Sequence, residues 1–404
     1  MALGKLGFIN RNLLVLFACQ TVFVSGSVLL VTVGGIVGYE LASAQQFATL
    51  PVALMVVGTA LATIPAAFVM QRVGRRWGFM LATVIAASGA ALATLALDER
   101  SFVLFCCATA LVGSSLGFSQ QFRFAAAESV SLDKVSHAVS FILLGSIAGA
   151  FLGPEIVALS ASRNAEAPYG FAFTVMIGLY GVACAVLVML QVSSPEHDAD
   201  IEQHAEPRPF LQLIRHPAFA TAVLAGVVGH GVMTYVMTAT PISMKVMDGF
   251  SLQVTAEVIR AHVIAMYLPS LITPWLVNTL GLPRMMTLGV FALGATLVIG
   301  LAGHQYMHYW FAMVLLGVGW NFLFVGGTTQ LVQSYRSDER FKAQAFNDFS
   351  VFGASAMASL LAGTMLHVLG WNMLLISALP ALLMMLAAIA WSVVARRAAS
   401  AESS

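Results

Sequence analysis

Residues 67–76 read AFVMQRVGRR and place three arginines and one glycine between two long apolar stretches, roughly 48–70 and 77–97. Each stretch has about the 20 residues that a helix needs to cross the hydrocarbon core of a bilayer. A short charged segment between two such stretches predicts a helical hairpin that crosses a membrane twice. The same pattern of apolar stretches, ended by charges, prolines or short polar runs, continues along the chain.

The composition also indicates a membrane protein. Of the 404 residues 59% are hydrophobic and 9% are charged, whereas a soluble domain has roughly 45–50% apolar and about 25% charged residues. This excludes a soluble enzyme, a disordered protein, a disulfide-rich secreted protein and a basic nucleic-acid-binding protein. The predicted spans are roughly 13–38, 48–70, 77–97, 101–122, 138–160, 169–192, 217–243, 258–280, 285–303, 309–333, 344–369 and 372–395.

The basic residues indicate the orientation. The chain has 19 lysines and arginines. If the N-terminus is cytoplasmic, four of them lie on the outer side of the membrane, namely Arg100, Arg163, Lys245 and Arg260. Cytoplasmic loops carry an excess of Lys and Arg, so we expect both termini in the cytoplasm. The chain is then an integral, multi-pass protein of the bacterial inner membrane. The four cysteines lie in apolar stretches without metal-ligand spacing, so we expect no metal site and no cofactor.

The chain divides near its middle. Ser193 to His216 is the longest polar run, with five acidic residues and three prolines, and this composition predicts a linker. It separates an N-terminal half, 1–192, from a C-terminal half, 217–404. Pairs that recur at nearly equal offsets indicate a duplicated six-helix unit. These pairs are Ser25–Gly26 with His230–Gly231, Gly74 with Gly281, Lys134 with Lys342, and Gly145 with Gly353.

Residues 67–76 resemble the loop signature of the major facilitator superfamily, Gly-x-x-x-Asp-Arg-x-Gly-Arg-Arg/Lys, and a vestige recurs at 281–284. The resemblance implies an all-α membrane protein of 12 transmembrane helices in two pseudo-symmetric six-helix bundles. The chain departs from the signature at Ala67 and at Gln71, which stands where the family has an Asp and which carries no charge. Gly74 is expected to form a tight turn with positive φ.

Several charged residues near the predicted cytoplasmic ends of spans are interpreted as gating residues. They are equally compatible with topogenic charge, lipid-headgroup contacts or solvated loops. The residues that we assign to gating and to the loop signature are Gln71, Arg72, Gly74, Arg75, Arg76, Arg123, Glu128, Arg336 and Arg340.

The fifth span contains Gly145-x-x-x-Gly149-x-x-x-Gly153-Pro154. Residues four apart share one face of a helix, so the three glycines predict a groove in which another helix approaches closely. Pro154 lacks an amide hydrogen and is expected to bend the helix. This pattern resembles, in part, the glycine-proline motif of antiporters in the superfamily, and it is also compatible with ordinary small-residue packing.

Ionisable groups inside a membrane are costly and are therefore candidates for function. Glu155 follows Pro154, and if it is buried its carboxyl group is a candidate proton carrier; a position near the headgroups or a structural partner is the alternative. We place Asp348 at the start of span eleven, where the helix dipole favours a carboxylate, and we interpret it as structural.

His230 is the neutral candidate of most interest, since it forms a stripe with Thr234 and Thr238 on span seven. In the superfamily, spans one, four, seven and ten line the central cavity, so the resemblance implies that His230 faces substrate. Its imidazole is also a candidate proton carrier, although an intramembrane His is often only bonded to a neighbouring helix. The residues assigned to the cavity are Gln20, Ser25, Gln120, Gln121, His230, Thr234 and Asn321.

Together these features predict a secondary transporter of a small organic molecule that works as a monomer by alternating access. No nucleotide-binding or hydrolase motif is found in the sequence, so an ion gradient, most simply of protons, is the expected energy source. The partial glycine-proline motif favours efflux by antiport. Thr109, where antiporters often have Arg, and the polar cavity set favour uptake of a metabolite or vitamin-like compound. A receptor or a membrane enzyme is the remaining alternative.

Overall fold

The computed structural model describes residues 9–43, 47, 50–163, 169–191 and 209–402. Most of the predicted linker, 193–208, lies outside the described residues, as do the basic residues Lys5 and Arg208. The helices are α1 Arg11–Leu41, α2 Leu50–Asp98, α3 Phe102–Ser119, α4 Phe122–Ala127, α5 Val135–Arg163, α6 Gly170–Leu187, α7 Phe210–Arg215, α8 Pro217–Ile242, α9 Leu252–Tyr267, α10 Thr273–Leu280, α11 Leu282–Ala302, α12 Tyr306–Val332, α13 Arg340–Ser377 and α14 Leu379–Glu402.

The described helices account for the predicted spans. Nine helical stretches among the described residues are long and apolar enough to cross a membrane, and α9 with α10 forms a further, bent span. Two of the nine stretches are 49 and 59 residues long, and each contains a glycine in the left-handed region, Gly74 (φ 82°) or Gly370 (φ 77°). A break at each glycine divides each of these two stretches into two crossings. With the other seven stretches and the bent span, the described residues therefore agree with the predicted twelve spans. The positive φ predicted for Gly74 is confirmed.

Local sequence explains where several helices begin. Asn10 precedes α1, and its Oδ1 accepts a hydrogen bond from the Leu13 amide at 2.9 Å. Ser101 caps α3 and Ser251 caps α9 in the same manner. Such caps satisfy amide hydrogens that have no partner within the helix.

The chain forms two compact units. The first unit comprises Met1–Lys134, Phe141–Gln203 and Phe341–Phe349, and the second comprises Val135–Ser140, His204–Arg340 and Ser350–Ser404. The division differs from the predicted linear halves in two short segments, 135–140 and 341–349. The start of α13 therefore belongs to the first unit, and the rest of that helix belongs to the second.

In the first unit the glycine stripe of α5 lies against α1. A Cβ added at Gly149 would lie 2.6 Å from the carbonyl oxygen of Thr21, and one at Gly153 would lie 2.7 Å from that of Ser25. Both distances are too short for a methyl group, so the two backbones touch only because these residues are glycine. Helix α5 continues through Pro154 to Arg163.

We expect Gly149→Ala to destabilise the protein by about 1–3 kcal/mol, because the added methyl group must push α5 away from α1. The thermal unfolding midpoint of the purified protein in detergent should fall. Gly178→Ala on the exposed face of α6 is the matched control, since a Cβ there meets nothing within 4 Å. Equal midpoints for the two variants would contradict the close packing.

Candidate functional site

Side chains of four helices of the second unit form a group of aromatic rings that contains His230. We define the aromatic cluster as His230 of α8, Tyr267 of α9, Trp320 and Phe324 of α12, and Phe352 of α13. The imidazole centroid lies 5.1 Å from the Trp320 ring, 5.0 Å from the Phe324 ring and 5.5 Å from the Phe352 ring. Trp320 stacks on Phe324 at 4.8 Å with an interplanar angle of 13°. The cluster therefore presents flat, polarisable surfaces beside one titratable ring.

A hydrogen bond fixes the protonation pattern of His230. The indole Nε1–H of Trp320 donates to His230 Nδ1 at 3.1 Å. Because an indole nitrogen only donates, Nδ1 carries no hydrogen, and the neutral ring holds its hydrogen on Nε2. Both side chains are buried, with exposures of 8% for His230 and 3% for Trp320. Thr234, one turn further along α8, is half-buried.

Asn321, next to Trp320, holds the bent span together. Its Nδ2 donates to the carbonyl oxygen of Met266 at 2.7 Å and to Ser270 Oγ at 2.8 Å, and its Oδ1 accepts from Thr273 Oγ1 at 2.9 Å. These partners surround the 52° bend between α9 and α10. Since both amide hydrogens and the oxygen are engaged, this geometry supports a structural role for Asn321 rather than the predicted substrate contact.

Three cavity candidates of the first unit lie on or beside its own helices. Gln20 Nε2 donates to Ser146 Oγ at 2.9 Å, and the buried Ser25 Oγ donates to the carbonyl oxygen of Thr21 in the preceding turn at 2.7 Å. Gln120 is half-buried at the end of α3. The side chains of Gln20 and Ser25 thus each donate a hydrogen bond to another group of the first unit.

The first unit contains a second polar group, which we define as the ionic cluster: Arg75, Gln121, Arg123, Glu128, Gln344 and Asp348. Arg75 donates from Nε to Glu128 Oε2 at 2.8 Å and from Nη2 to Gln344 Oε1 at 2.7 Å. Gln344 Nε2 in turn donates to Glu128 Oε1 at 3.1 Å. One guanidinium therefore joins the residue after the Gly74 turn of α2 to the first turns of α13.

A buried ion pair forms the other part of the ionic cluster. The Arg123 guanidinium pairs with the Asp348 carboxylate, and the two side chains are 4% and 0% exposed. Gln121 Nε2 donates to Asp348 Oδ2 at 2.9 Å, and Asn347 Nδ2 donates to Asp348 Oδ1 at 3.0 Å. The placement of Asp348 at the start of its helix was wrong, because α13 begins at Arg340. The carboxylate lies about two turns inside, where side chains and not amides of the first turn hold it.

The other gating candidates are more peripheral. Gln71 and Arg72 are exposed, and the Arg76 guanidinium lies over the Trp77 ring at 5.8 Å. The backbone amide of Arg336 donates to Glu339 Oε2 at 2.9 Å, and Arg340 is the first residue of α13. Among the residues assigned to gating, Arg75, Arg123 and Glu128 are the ones that the structure places in the ionic cluster.

Glu155 is exposed on α5. Its predicted role as proton carrier depended on burial of the carboxyl group, and the structure shows no such burial. The role stays a prediction without support from the environment of the side chain.

The sequence did not point to Trp320, Phe324, Phe352, Tyr267 or Gln344. Phe, Trp and Tyr make up 10% of the chain, so single aromatic residues in apolar spans carry no signal of their own. Gln344 is different, because it is a polar amide near the start of a predicted span. Of these five residues it is the one that the sequence pattern could have marked as a candidate.

Comparison with known proteins identifies the family. Residues 15–257 match the family model of the Major Facilitator Superfamily. The chain belongs to this superfamily. The riboflavin transporter RfnT of Brucella anthropi is 36% identical over 363 residues, which cover 90% of this chain and 91% of that protein. The uncharacterized transporter YdeG of Bacillus subtilis is 29% identical over 370 residues, which cover 88% of this chain and 85% of that protein.

Solved structures show the same fold at low identity. The E. coli fucose:proton symporter FucP superposes with a TM-score of 0.73 at 14% identity over 94% of this chain and 98% of that chain. The human organic anion transporter MFSD10 gives 0.73 at 15% identity over 94% and 99%. The major facilitator fold is therefore confirmed. The chain is an integral, multi-pass membrane protein and a secondary transporter of a small molecule, not an enzyme.

We expect Asp348→Asn to lower the free energy of unfolding by about 3–5 kcal/mol, because it leaves the buried Arg123 guanidinium without its carboxylate. The double variant Asp348→Asn with Arg123→Gln should recover most of this loss. Thermal unfolding in detergent measures these variants and the single variant Arg123→Gln, and Gln71→Ala at an exposed position of α2 is the control. Simple additivity of the two single substitutions would show that the pair is not coupled.

Proposed function

We propose that this protein carries riboflavin, or a ligand with the same kind of flat conjugated ring system, into the cell and uses a proton gradient to do so. The observation that carries the proposal is the full-length likeness to the riboflavin transporter of Brucella anthropi. We further propose that it works as a monomer in the bacterial inner membrane with both termini in the cytoplasm, as the distribution of basic residues predicts.

The aromatic cluster gives the proposal a physical basis. A conjugated tricyclic ring buries large flat faces, and each offset-stacked or edge-to-face aromatic contact contributes about 0.5–1.5 kcal/mol beyond the buried area. His230 in its neutral form adds no charge to the cluster, which suits a ligand whose ring system is uncharged. The polar edge of such a ring requires a few directed hydrogen-bonding groups, and Thr234 and the imidazole lie on one face of α8.

The sequence left two directions of transport open, uptake and efflux, and we propose uptake. Uptake of a vitamin-like compound agrees with the name of the Brucella relative and with Thr109 in place of the antiporter arginine. Antiport efflux, which the partial glycine-proline motif favours, is the second candidate. An inward proton gradient drives a neutral solute inward only if both move in the same direction, so the two candidates make opposite predictions in vesicles.

We expect purified protein in proteoliposomes to accumulate labelled riboflavin when the outside is acidified. The flux should be saturable, and an uncoupler should abolish accumulation. Lumichrome, which has the ring system without the ribityl chain, should compete, whereas ribitol should not. If riboflavin crosses in neither direction with folded protein, the proposal fails; if an inward proton gradient drives only exit from preloaded vesicles, the efflux alternative replaces it.

A variant links the flux to the aromatic cluster. Trp320→Leu removes a stacked ring and should weaken the apparent affinity for riboflavin by about tenfold. Trp310→Leu is the matched control, since Trp310 lies on the same helix and contacts Phe311 outside the cluster. Uptake assays over a range of riboflavin concentrations measure both. Equal losses in the two variants would show that the cluster has no special role in binding.

A further inference from the structure

The hydrogen bond between Trp320 and His230 excludes a second proton on the imidazole. Nδ1 accepts the indole N–H across 3.1 Å. A proton bound at Nδ1 would place two N–H donors face to face with no acceptor between them. The imidazolium charge would also meet the positive edge of the indole ring. Protonation of His230 and the observed position of Trp320 are therefore mutually exclusive.

This rests on the proposed function: we propose that His230 binds the coupling proton and that Trp320 is a positioning residue that transmits the charge of His230 to the ligand site. The step is a proton transfer alone. A proton from the aqueous phase on one side binds the Nδ1 lone pair, the Nε1–H···Nδ1 bond breaks, and the proton leaves from Nδ1 on the other side. One proton then moves in each transport cycle.

The displaced indole lies in the centre of the aromatic cluster. Trp320 stacks on Phe324 and meets Tyr267 edge-on at 5.7 Å and 86°. A rotation of the indole away from His230 must therefore change the faces that Phe324 and Tyr267 present. Because a flat ligand gains its affinity from these faces, the protonation state of His230 changes the affinity for the ligand.

Two further rings stay beside the imidazole after the Trp320 bond breaks. The centroids of Phe324 and Phe352 lie 5.0 and 5.5 Å from the imidazole centroid, with interplanar angles of 61° and 69°. Protonation at Nδ1 therefore removes the contact with Trp320 and leaves His230 between these two rings.

The neighbours of His230 and of α8 include several polar and titratable groups. The rings of Trp320, Phe324 and Phe352, which are among those in contact with His230, do not titrate. Tyr267 of α9 contacts Trp320, and an ordinary phenol stays neutral where imidazole titrates. On α14, Arg396 donates to Gln330 at 3.1 Å, and Gln330 donates to the Ala218 carbonyl at the start of α8.

His262 of α9 is the other buried histidine of this region. Its Nδ1 bonds to the carbonyl oxygen of Met313 at 2.8 Å, about two turns of α12 before Trp320. A hydrogen bond to a backbone carbonyl requires a hydrogen on Nδ1, so His262 holds the tautomer opposite to that of His230. His262 serves as a reference histidine in the experiment.

The decisive variant is His230→Asn. Its amide oxygen takes the place of Nδ1 and accepts from Trp320, but it does not titrate between about pH 5 and 8 as imidazole does. We expect the accumulation of riboflavin under a fixed proton gradient, divided by the rate of gradient-free riboflavin exchange by the same variant, to fall at least about tenfold below the parental ratio. His262→Asn, which leaves the Trp320 bond intact, should keep the accumulation. Accumulation by His230→Asn with the parental pH profile would overturn the proposal.

A second measurement needs no transported substrate. The emission of Trp320 is obtained by subtracting the fluorescence of the Trp320→Phe variant from that of the parent. A protonated imidazole next to an indole quenches the emission of the indole. The difference should fall as the pH is lowered from about 8 to 5. The same difference in the His230→Asn background, taken against His230→Asn with Trp320→Phe, should be independent of pH.

The two measurements separate the two proposals. If the parent protein carries no riboflavin, the proposed function fails, while the fluorescence titration still tests whether His230 binds a proton beside Trp320. A parental difference signal that does not change with pH overturns the inference, even if riboflavin is transported. If His230→Asn does not fold, His230→Gln and the parental titration decide in the same way.

Discussion

Hydrocarbon offers no hydrogen-bond partners, and every polar group of this chain that enters the membrane must find its partner inside the protein. The backbone meets this requirement by forming helices in nearly all the described residues. Side chains meet it individually. Ser25 bonds to the preceding turn of its own helix, Asn321 uses its whole amide group on one bend, and Asp348 receives donors from Arg123, Gln121 and Asn347. Charged residues are 9% of the chain, so buried charges such as Asp348 are rare and each one needs its own set of partners.

The fold was readable from the sequence because the span pattern is local. A stretch of about twenty apolar residues predicts a transmembrane helix wherever it occurs, and a glycine among arginines between two such stretches predicts a tight turn. The polar partners were not readable, because they depend on pairings far apart along the chain. Gln121 was assigned to the cavity, yet its partner Asp348 lies 227 residues away. His230 was found because it forms a polar stripe with Thr234 and Thr238 in an apolar span. The aromatic rings around it look like any other apolar residue until the helices are packed.

The ionic cluster and the aromatic cluster differ in the kind of contact that holds them. The ionic cluster contains charged pairs with several hydrogen bonds each, and the loss of one partner leaves a buried charge. The described contacts of the aromatic cluster are the hydrogen bond between the Trp320 indole and the His230 imidazole and several ring contacts. A buried ion pair stabilises one arrangement of its helices, whereas a hydrogen bond between two neutral rings can be broken by a single proton. This difference is the reason why we propose the aromatic cluster, and not the ionic cluster, as the place where ligand and proton interact.

The turn at Gly74 makes one short segment responsible for the angle between two crossings. Helix α2 runs from Leu50 to Asp98 with one non-helical residue, so no loop separates its two apolar arms. At this end the arms can change their relative angle only through the backbone dihedrals of Gly74 and its neighbours. A side chain at position 74 would disfavour the positive φ of the turn, so glycine at this one position keeps the second and third crossings together as a hairpin.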